Sequence, residues 1–130
     1  MRVVELRGVA DGALATSASS GVHTLRIDEP LDLGGTDTGA TPTELLLAAL
    51  GGCESITLRM YAARKGWPLT DVRIRLHGST VEGAFVVRRE VVLEGPLDAD
   101  QRTRLLDIIN RCPVHRILTG EVRVVDAPVP

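Results

Sequence analysis

Aromatic residues are almost missing from this chain of 130 residues, which has one Phe, one Tyr and one Trp. Single-stranded nucleic acids are commonly held by aromatic side chains that stack on the bases, and the chain has too few to build such a surface. The 15 basic residues are dispersed among 17 acidic ones, so no basic block offers a phosphate-binding surface either. We therefore expect no nucleic-acid partner, and a core made of Leu, Val, Ile and Ala.

Long apolar runs and cysteines are also scarce. The longest apolar run is well below the roughly 18 residues that a membrane span requires. The N-terminal sequence MRVVELRG lacks the apolar segment of a signal peptide. The sequence therefore predicts a cytoplasmic protein with no membrane partner. In that reducing compartment the two cysteines, Cys53 and Cys112, are more often structural or redox-active thiols than a permanent disulfide.

The apolar patterns and turn signals predict an α+β fold in a single domain, residues 1–130, with the element order βββ-α-ββ-α-β. Three short strands are expected at 2–8, 13–19 and 22–28, with turns at Asp11-Gly12 and Ser20-Gly21 and a loop over 29–40. A hairpin is expected where 71–81 and 84–94 flank Glu82-Gly83. The remaining elements are a helix from near Asp98 to Asn110, a short helix over 113–118 and a last strand over 121–125.

The longest predicted element is a helix that begins after Thr41 and runs to Lys65. Thr41 can cap the first turn, Pro42 fits the first helical position, and Glu44 completes a capping box. Gly66 is expected to end the helix because glycine readily adopts the left-handed conformation found there.

The middle of this helix is apolar on every side from Leu45 to Cys53. A helix of that kind must be covered all round, and one small sheet covers only one face. In a chain of this size the missing cover is most simply supplied by a second copy. The sequence therefore predicts a homodimer with the helix near its centre.

Gly51 and Gly52 lie directly before Cys53, and two interpretations fit them. In the first, the glycines let another backbone approach closely, and Cys53 is a small buried hydrophobic residue. In the second, the small residues open an apolar pocket above the sulfur. Helical spacing places the walls of that pocket on the face of Cys53, at Ala49, Ile56, Thr57 and Met60.

Cys112 directly precedes Pro113 and is expected at the N-terminus of the short helix, where the helix dipole favours a thiolate. By this argument Cys112 ionises more readily than Cys53; the alternative is an ordinary buried cysteine at a helix junction. His115 follows three residues later, which invites a zinc site. The other possible ligands are scattered along the chain, so we expect no metal.

Two segments together point to a known family. The run PTELLLAALGGC at 42–53, with Cys112-Pro113-Val114 further along, resembles the OsmC/Ohr superfamily of osmotically inducible proteins and organic hydroperoxide resistance proteins. The element order and the length of the chain are similar as well. The resemblance implies an OsmC-like fold, in which an intertwined homodimer has two long central helices wrapped by sheets.

The resemblance also implies an activity, the thiol-dependent reduction of organic hydroperoxides in oxidative-stress defence. Cys53 would be the peroxidatic cysteine, whose thiolate attacks the peroxide and becomes a sulfenic acid. Cys112 would be the resolving cysteine, which forms a disulfide that an external dithiol reduces, so no resident cofactor is implied. In these roles Cys53 is the thiol that ionises first, whereas the helix dipole alone favours Cys112.

One position departs from the better-known members of the family. They carry a glutamate ten positions before the peroxidatic cysteine, where it holds an activating arginine; here that position is Thr43. The pattern is closer to the less-characterised OsmC-like branch, and Arg26 is the positional candidate for the activating arginine. Two alternatives to a peroxidase therefore stay open: a dimeric protein that binds a hydrophobic small molecule, and a redox sensor whose disulfide changes partner binding.

Overall fold

The computed structural model of the chain describes residues 1–10 and 13–129. The chain divides into two compact units, Met1–Leu46 and Leu47–Pro130. The N-terminal unit contains a three-stranded sheet, and the C-terminal unit contains a two-stranded sheet with helices. The predicted α+β class is therefore confirmed, whereas the single domain over 1–130 stays a prediction.

The N-terminal sheet is an antiparallel meander of three short strands, β1 (Glu5–Gly8), β2 (Thr16–Ser20) and β3 (His23–Ile27). The turn predicted at Ser20-Gly21 is confirmed, since β2 and β3 pair up to Ser20 and His23 and Gly21 has a φ of +61°, which glycine adopts without strain. The turn predicted at Asp11-Gly12 lies outside the described residues.

The loop after β3 is held together by one buried carboxylate. Asp28 is 2% exposed and accepts hydrogen bonds of 2.7 Å from the hydroxyls of both Thr36 and Thr38. The backbone amides of the same two threonines donate to it at 3.2 and 3.1 Å. These hydrogen bonds, the Thr36 hydroxyl first, hold the pKa of Asp28 far below its ordinary value. The predicted loop therefore has a fixed shape, with a short 3₁₀ turn at Leu31–Leu33 inside it.

The long helix α1 (Pro42–Lys65) starts and ends as predicted. Thr41 Oγ1 accepts a hydrogen bond of 3.2 Å from the Glu44 amide, and Glu44 Oε2 accepts one of 2.9 Å from the Thr41 amide. This reciprocal pair is the capping box. At the other end, Gly66 adopts a φ of +67° and stops the helix.

One face of α1 is buried within the C-terminal unit. By length and apolar content the helix also meets the requirements for crossing a membrane, as the core helices of soluble proteins often do. Its buried residues recur every four positions, about one turn of helix: Leu50, Glu54, Leu58 and Ala62. This spacing places one face of α1 in the core of the C-terminal unit, and the rest of the helix surface is half-buried or exposed.

The two-stranded sheet of the C-terminal unit is the predicted hairpin, β4 (Asp71–Val81) and β5 (Ala84–Glu94). Glu82 and Gly83 both have positive φ, 50° and 80°, and this pair of left-handed residues matches the twist of the strands they join. The register runs without interruption from Asp71 opposite Glu94 to Val81 opposite Ala84.

The core of the C-terminal unit is aliphatic, as the scarcity of aromatic residues requires. The helix α2 (Ala99–Ile108) begins at a capping box between Asp98 and Gln101 and continues into a 3₁₀ turn, Ile109–Arg111, and then the short helix α3 (Pro113–Thr119). Three residues without exposed surface lie at the centre of the core: Leu58, Leu105 and Ile109. Tyr61 and Trp67 are only partly buried at its edge.

The last strand predicted over 121–125 is wrong. Residues 121–129 have no regular secondary structure, and among the described residues no strand pairs with them. Val122, Val124 and Val125 are exposed by 62%, 92% and 82%. A strand needs a neighbour to satisfy its backbone groups, and an apolar alternation does not supply one. The element order of the described chain therefore ends with α3.

Candidate functional site

Cys53 lies in α1, on the border of the buried face. It is half-buried, whereas its neighbour Glu54 has no exposed surface. The capping box and Gly66 fix where α1 begins and ends, and this fixes the position of Cys53 within the helix. A half-buried thiol combines a shielded environment with access from solvent.

Cys112 caps the N-terminus of α3 and has no exposed surface. Its Sγ accepts a hydrogen bond of 3.3 Å from the backbone amide of His115. The chain reaches this position through the 3₁₀ turn that follows α2. The prediction that Cys112 lies at a helix N-terminus is therefore confirmed. The group that hydrogen-bonds to its sulfur is the backbone amide of His115.

The pKa of Cys112 is raised, mainly because burial disfavours the charged thiolate. Interaction with the Cys53 thiol and the negative charge of Glu54 raise the pKa further, and the hydrogen bond from His115 lowers it only in part. The prediction that the helix dipole makes Cys112 the readily ionised thiol is therefore wrong, because burial outweighs the dipole. Both cysteines are free thiols, and the Cys53 thiol is one of the groups that raise the pKa of Cys112.

The residue that follows Cys53 belongs to a buried ion pair, which the sequence alone did not predict. The carboxylate of Glu54 is ion-paired with Arg89 of β5, whose side chain is 24% exposed. Arg89 also donates a hydrogen bond of 2.9 Å to the side-chain oxygen of Asn110. The signal available in the sequence was the helical spacing of Glu54, which places a charged residue on the same face as Leu50 and Leu58.

The cavity next to this ion pair has a volume of about 280 Å³. Its walls come from three elements: Leu50 of α1, Val87 and Arg89 of β5, and His115 of α3. Leu50 lies one helical turn before Cys53, and the His115 amide is bonded to Cys112. The cavity is therefore lined by neighbours of both thiols and by one cation.

A second and larger space, an open groove of about 400 Å³, runs along the other side of α1. Small and apolar residues line it, with Gly51, Gly52, Ala48, Leu47 and Ser55 from α1 and Val72, Ile74 and Leu76 from β4. A Cβ at Gly51 would lie 3.1 Å from Leu76 Cδ1, whereas a Cβ at Gly52 would meet nothing within 4 Å. Close packing on β4 therefore accounts for Gly51 but not for Gly52.

The four predicted pocket residues lie on a part of α1 that is largely exposed. Ile56 and Met60 are exposed by 60% and 62%, Ala49 is exposed and Thr57 is half-buried. The two cavities described above have other walls. A pocket at these four positions stays a prediction, and it requires a second surface opposite this face.

Arg26 lies in β3 of the N-terminal unit and is exposed. Its Nε donates a hydrogen bond of 2.8 Å to the hydroxyl of Thr38, which in turn bonds to Asp28. The side chain is thus fixed to the loop within its own unit. Its role as thiolate activator stays a prediction.

Comparison with solved structures identifies the fold. The chain is similar to an OsmC-like protein of Mycoplasma pneumoniae, with 22% identity, a TM-score of 0.76 and coverage of 92% of this chain and 88% of that one. It is also similar to an organic hydroperoxide resistance protein of Legionella pneumophila, with 22% identity, a TM-score of 0.68 and coverage of 92% and 90%. A third similar structure is the organic hydroperoxide resistance protein of Bacillus subtilis, with 21% identity, a TM-score of 0.59 and coverage of 92% and 91%.

No curated protein sequence matches the chain significantly. The family model described as OsmC-like protein matches residues 35–125, which include both cysteines and the ion pair of Glu54 and Arg89. The match covers well over half of the chain, and the similar structures have the same fold. The chain therefore belongs to the family of OsmC-like proteins.

Proposed function

We propose that the protein is a thiol-dependent peroxidase that reduces organic hydroperoxides. The observation that carries the proposal is a half-buried free thiol at Cys53 together with a fully buried free thiol at Cys112, whose pKa the Cys53 thiol helps to raise. Organic hydroperoxide resistance proteins among the similar structures support the substrate class.

In the first step, the thiolate of Cys53 attacks the distal oxygen of the hydroperoxide. The O–O bond breaks, the alkoxide takes up a proton and leaves as an alcohol, and Cys53 becomes a sulfenic acid. The half-buried position of Cys53 leaves its sulfur accessible to this substrate. The sulfur is oxidised by two electrons and the peroxide is reduced by two.

In the second step, Cys112 attacks the sulfur of the sulfenic acid, and a disulfide forms with loss of water. An external dithiol then reduces the disulfide and restores both thiols. Cys112 has no exposed surface, so it is shielded from the peroxide and suited to the resolving role. Arg26 remains our candidate for the activating cation, although its observed hydrogen bond is to Thr38.

The proposed working state is a homodimer. In the single chain, large apolar residues of α1 are exposed, with Leu46 at 41%, Ile56 at 60% and Met60 at 62%. A second copy would cover this face and supply the missing wall of the pocket predicted at Ala49, Ile56, Thr57 and Met60. Analytical ultracentrifugation of Met60→Glu should show a loss of dimer. Lys65→Glu, at an exposed position about 140° round the same helix from Met60, should leave the dimer intact.

The deciding experiment is a stopped-flow assay of reduced protein against cumene hydroperoxide and hydrogen peroxide, with intact mass to identify the products. We expect rapid loss of two thiols with the organic peroxide, no fast reaction in Cys53→Ser, and a trapped sulfenic acid in Cys112→Ser. Rates no faster than those of free cysteine would overturn the proposal.

The groove along Gly51 and Gly52 favours a second candidate function, the binding of a hydrophobic small molecule. Its volume of about 400 Å³ is in the range of ligand sites, and its walls are mostly small or apolar. Native mass spectrometry of the purified protein should then show a bound ligand that Gly52→Leu excludes. If ligand binding is the function, the same preparation should reduce peroxides slowly.

A further inference from the structure

The outer face of the hairpin collects basic side chains from both of its strands. The register places His77 of β4 directly opposite Arg88 of β5, and Arg75 directly opposite Glu90. Because alternate residues of a strand share a face, these four side chains lie on one side of the hairpin, and all four are exposed. The sequence shows no basic block here, because the pairing of β4 with β5 is what brings the residues together.

Arg88 differs from the other arginines of this face in its surroundings. Arg73 is ion-paired with Glu94 at 2.8 Å. Arg75 lies 3.8 Å from Glu90, which is too far for a hydrogen bond. Among the residues that the structure describes, Arg88 has no acidic partner, and the residue opposite it is a histidine. This part of the face therefore has more positive charge than its own carboxylates neutralise.

An open cavity of about 270 Å³ lies among these side chains. It is lined by Arg75, Leu76, His77, Arg88 and Glu90. Arg75 and Arg88 are diagonal neighbours in the register, and such positions are about 7–8 Å apart, within the reach of long side chains. The two guanidinium groups and the imidazole can therefore converge on one ligand in this cavity.

The donors of this cavity match a phosphate group. Guanidinium groups bind phosphate oxygens through paired hydrogen bonds, and an imidazole donates at least one N–H whether it is neutral or charged. A protonated His77 is repelled by Arg88 directly opposite, and a doubly charged anion between them would replace that repulsion by two attractions. A carboxylate has one charge and two oxygens, so it satisfies three donor groups less well.

A single phosphate fits this face better than an extended polyanion does. Asp71, Glu90 and Glu94 lie on the same face as the cavity, and the whole chain has a net charge of −2. A membrane surface or a nucleic acid would bring further negative charges against these carboxylates, whereas one small phosphate would contact only the cavity.

We propose that Arg75, His77 and Arg88 bind the phosphate group of a small soluble molecule on the outer face of the hairpin. No step of the proposed peroxidase uses these three residues, so the site stands or falls apart from that function.

The test is an NMR titration of the unmodified protein with inorganic pyrophosphate. We expect saturable shifts of the backbone amides of residues 75–77 and 88–90, and none with acetate at the same ionic strength. Shifts that do not saturate, that saturate only elsewhere in the chain, or that acetate reproduces would refute the site. This measurement needs no variant, so it does not depend on the folding of one.

Variants of exposed residues separate a site from general charge attraction. Arg88→Gln should weaken pyrophosphate binding by about tenfold, because it removes the paired donors. Glu90→Gln should strengthen binding by about threefold, because it removes a negative charge from the cavity wall. The matched control is Arg73→Gln, which makes the same charge change on the same face but outside the cavity, and it should alter binding by less than about twofold. Equal weakening by Arg73→Gln and Arg88→Gln would mean that net charge alone attracts the anion, and the proposal would then be wrong.

Sedimentation with vesicles of phosphatidylcholine and phosphatidic acid distinguishes a soluble phosphate from a lipid headgroup. We expect the protein to bind pyrophosphate and to remain in the supernatant of these vesicles at physiological salt. A protein that sediments with the vesicles but does not bind pyrophosphate would contradict the proposal of a soluble ligand.

Discussion

Glu54 and Arg89 form an ion pair in which the carboxylate has no exposed surface and the guanidinium is 24% exposed. The pair joins α1 to β5, and Arg89 extends the connection to Asn110. A charge taken fully out of water in this way is stable only with its partner in place. The pair is therefore a structural link between α1 and β5.

Removal of Arg89 should destabilise the fold strongly. We expect Arg89→Met to lower the free energy of unfolding by about 3–5 kcal/mol, because it leaves the buried carboxylate without its cation. The double variant Glu54→Leu/Arg89→Met should recover much of that loss, since neither charge remains. Urea unfolding followed by circular dichroism measures all three proteins.

The matched control for this prediction is a surface pair on the same hairpin. Arg75 and Glu90 lie 3.8 Å apart with side chains 88% and 75% exposed. Exposed pairs of this kind contribute about 0–1 kcal/mol, so Arg75→Met should change stability little. Equal losses of stability in Arg89→Met and Arg75→Met would refute the prediction, because the buried pair of Glu54 would then matter no more than the exposed one.

Substitution by alanine should change the stability of the fold by different amounts at the two glycines before Cys53. Gly52→Ala should raise the free energy of unfolding by up to about 1 kcal/mol, because alanine favours the helix and the new Cβ meets nothing within 4 Å. Gly51→Ala should raise the free energy of unfolding by less, because its new Cβ would lie 3.1 Å from Leu76 Cδ1 and that side chain must shift. Thermal unfolding of the two variants measures the difference. A clear loss of stability in Gly52→Ala would instead indicate that another surface packs on this glycine.

Local signals predicted the ends of the elements well. The capping box at Thr41 and Glu44, the stop at Gly66 and the hairpin around Glu82-Gly83 depend on residues a few positions apart, which the sequence displays directly. The strand predicted over 121–125 failed because pairing depends on a neighbour that no local pattern specifies.

The candidate site was predicted only in part, because burial and long-range contacts control its chemistry. The position of Cys112 at the start of α3 follows from Pro113, but its raised pKa comes from burial among residues distant in sequence. Arg89 lies 35 residues from Glu54, and nothing in the local sequence of β5 distinguishes it from its exposed neighbour Arg88. Only the folded chain reveals the pair.

The loop after β3 should lose stability in acid through Asp28. Its hydrogen bonds lower its pKa in the folded state, so the stabilisation is fully present above the unfolded pKa of about 3.9 and is lost as the pH falls toward the folded value. We expect Asp28→Asn to be less stable than wild type at pH 7, with a difference that shrinks below about pH 4. Urea midpoints between about pH 2 and 7 measure this.

The control for Asp28 is Asp32, an exposed residue of the nearby 3₁₀ turn. The stability of Asp32→Asn should stay close to that of the wild type at every pH. Thr36→Val, which removes the largest of the causes that lower the pKa of Asp28, should reproduce part of the Asp28→Asn effect. A difference between wild type and Asp28→Asn that stays constant down to pH 2 would contradict the prediction.

The buried thiol of Cys112 should make the fold sensitive to alkali. Because burial raises its folded pKa, the protonated thiol is stabilised, and this contribution is complete below the unfolded pKa of about 8.5 and is lost as the pH rises through the folded value. The slope is at most about 1.4 kcal/mol per pH unit for one proton. We expect Cys53→Ser, which cannot form the disulfide, to lose stability above pH 8.5 faster than Cys53→Ser/Cys112→Ala. Urea unfolding at pH 7, 8.5 and 10 compares the two, and parallel curves would mean that Cys112 titrates as it does in the unfolded chain.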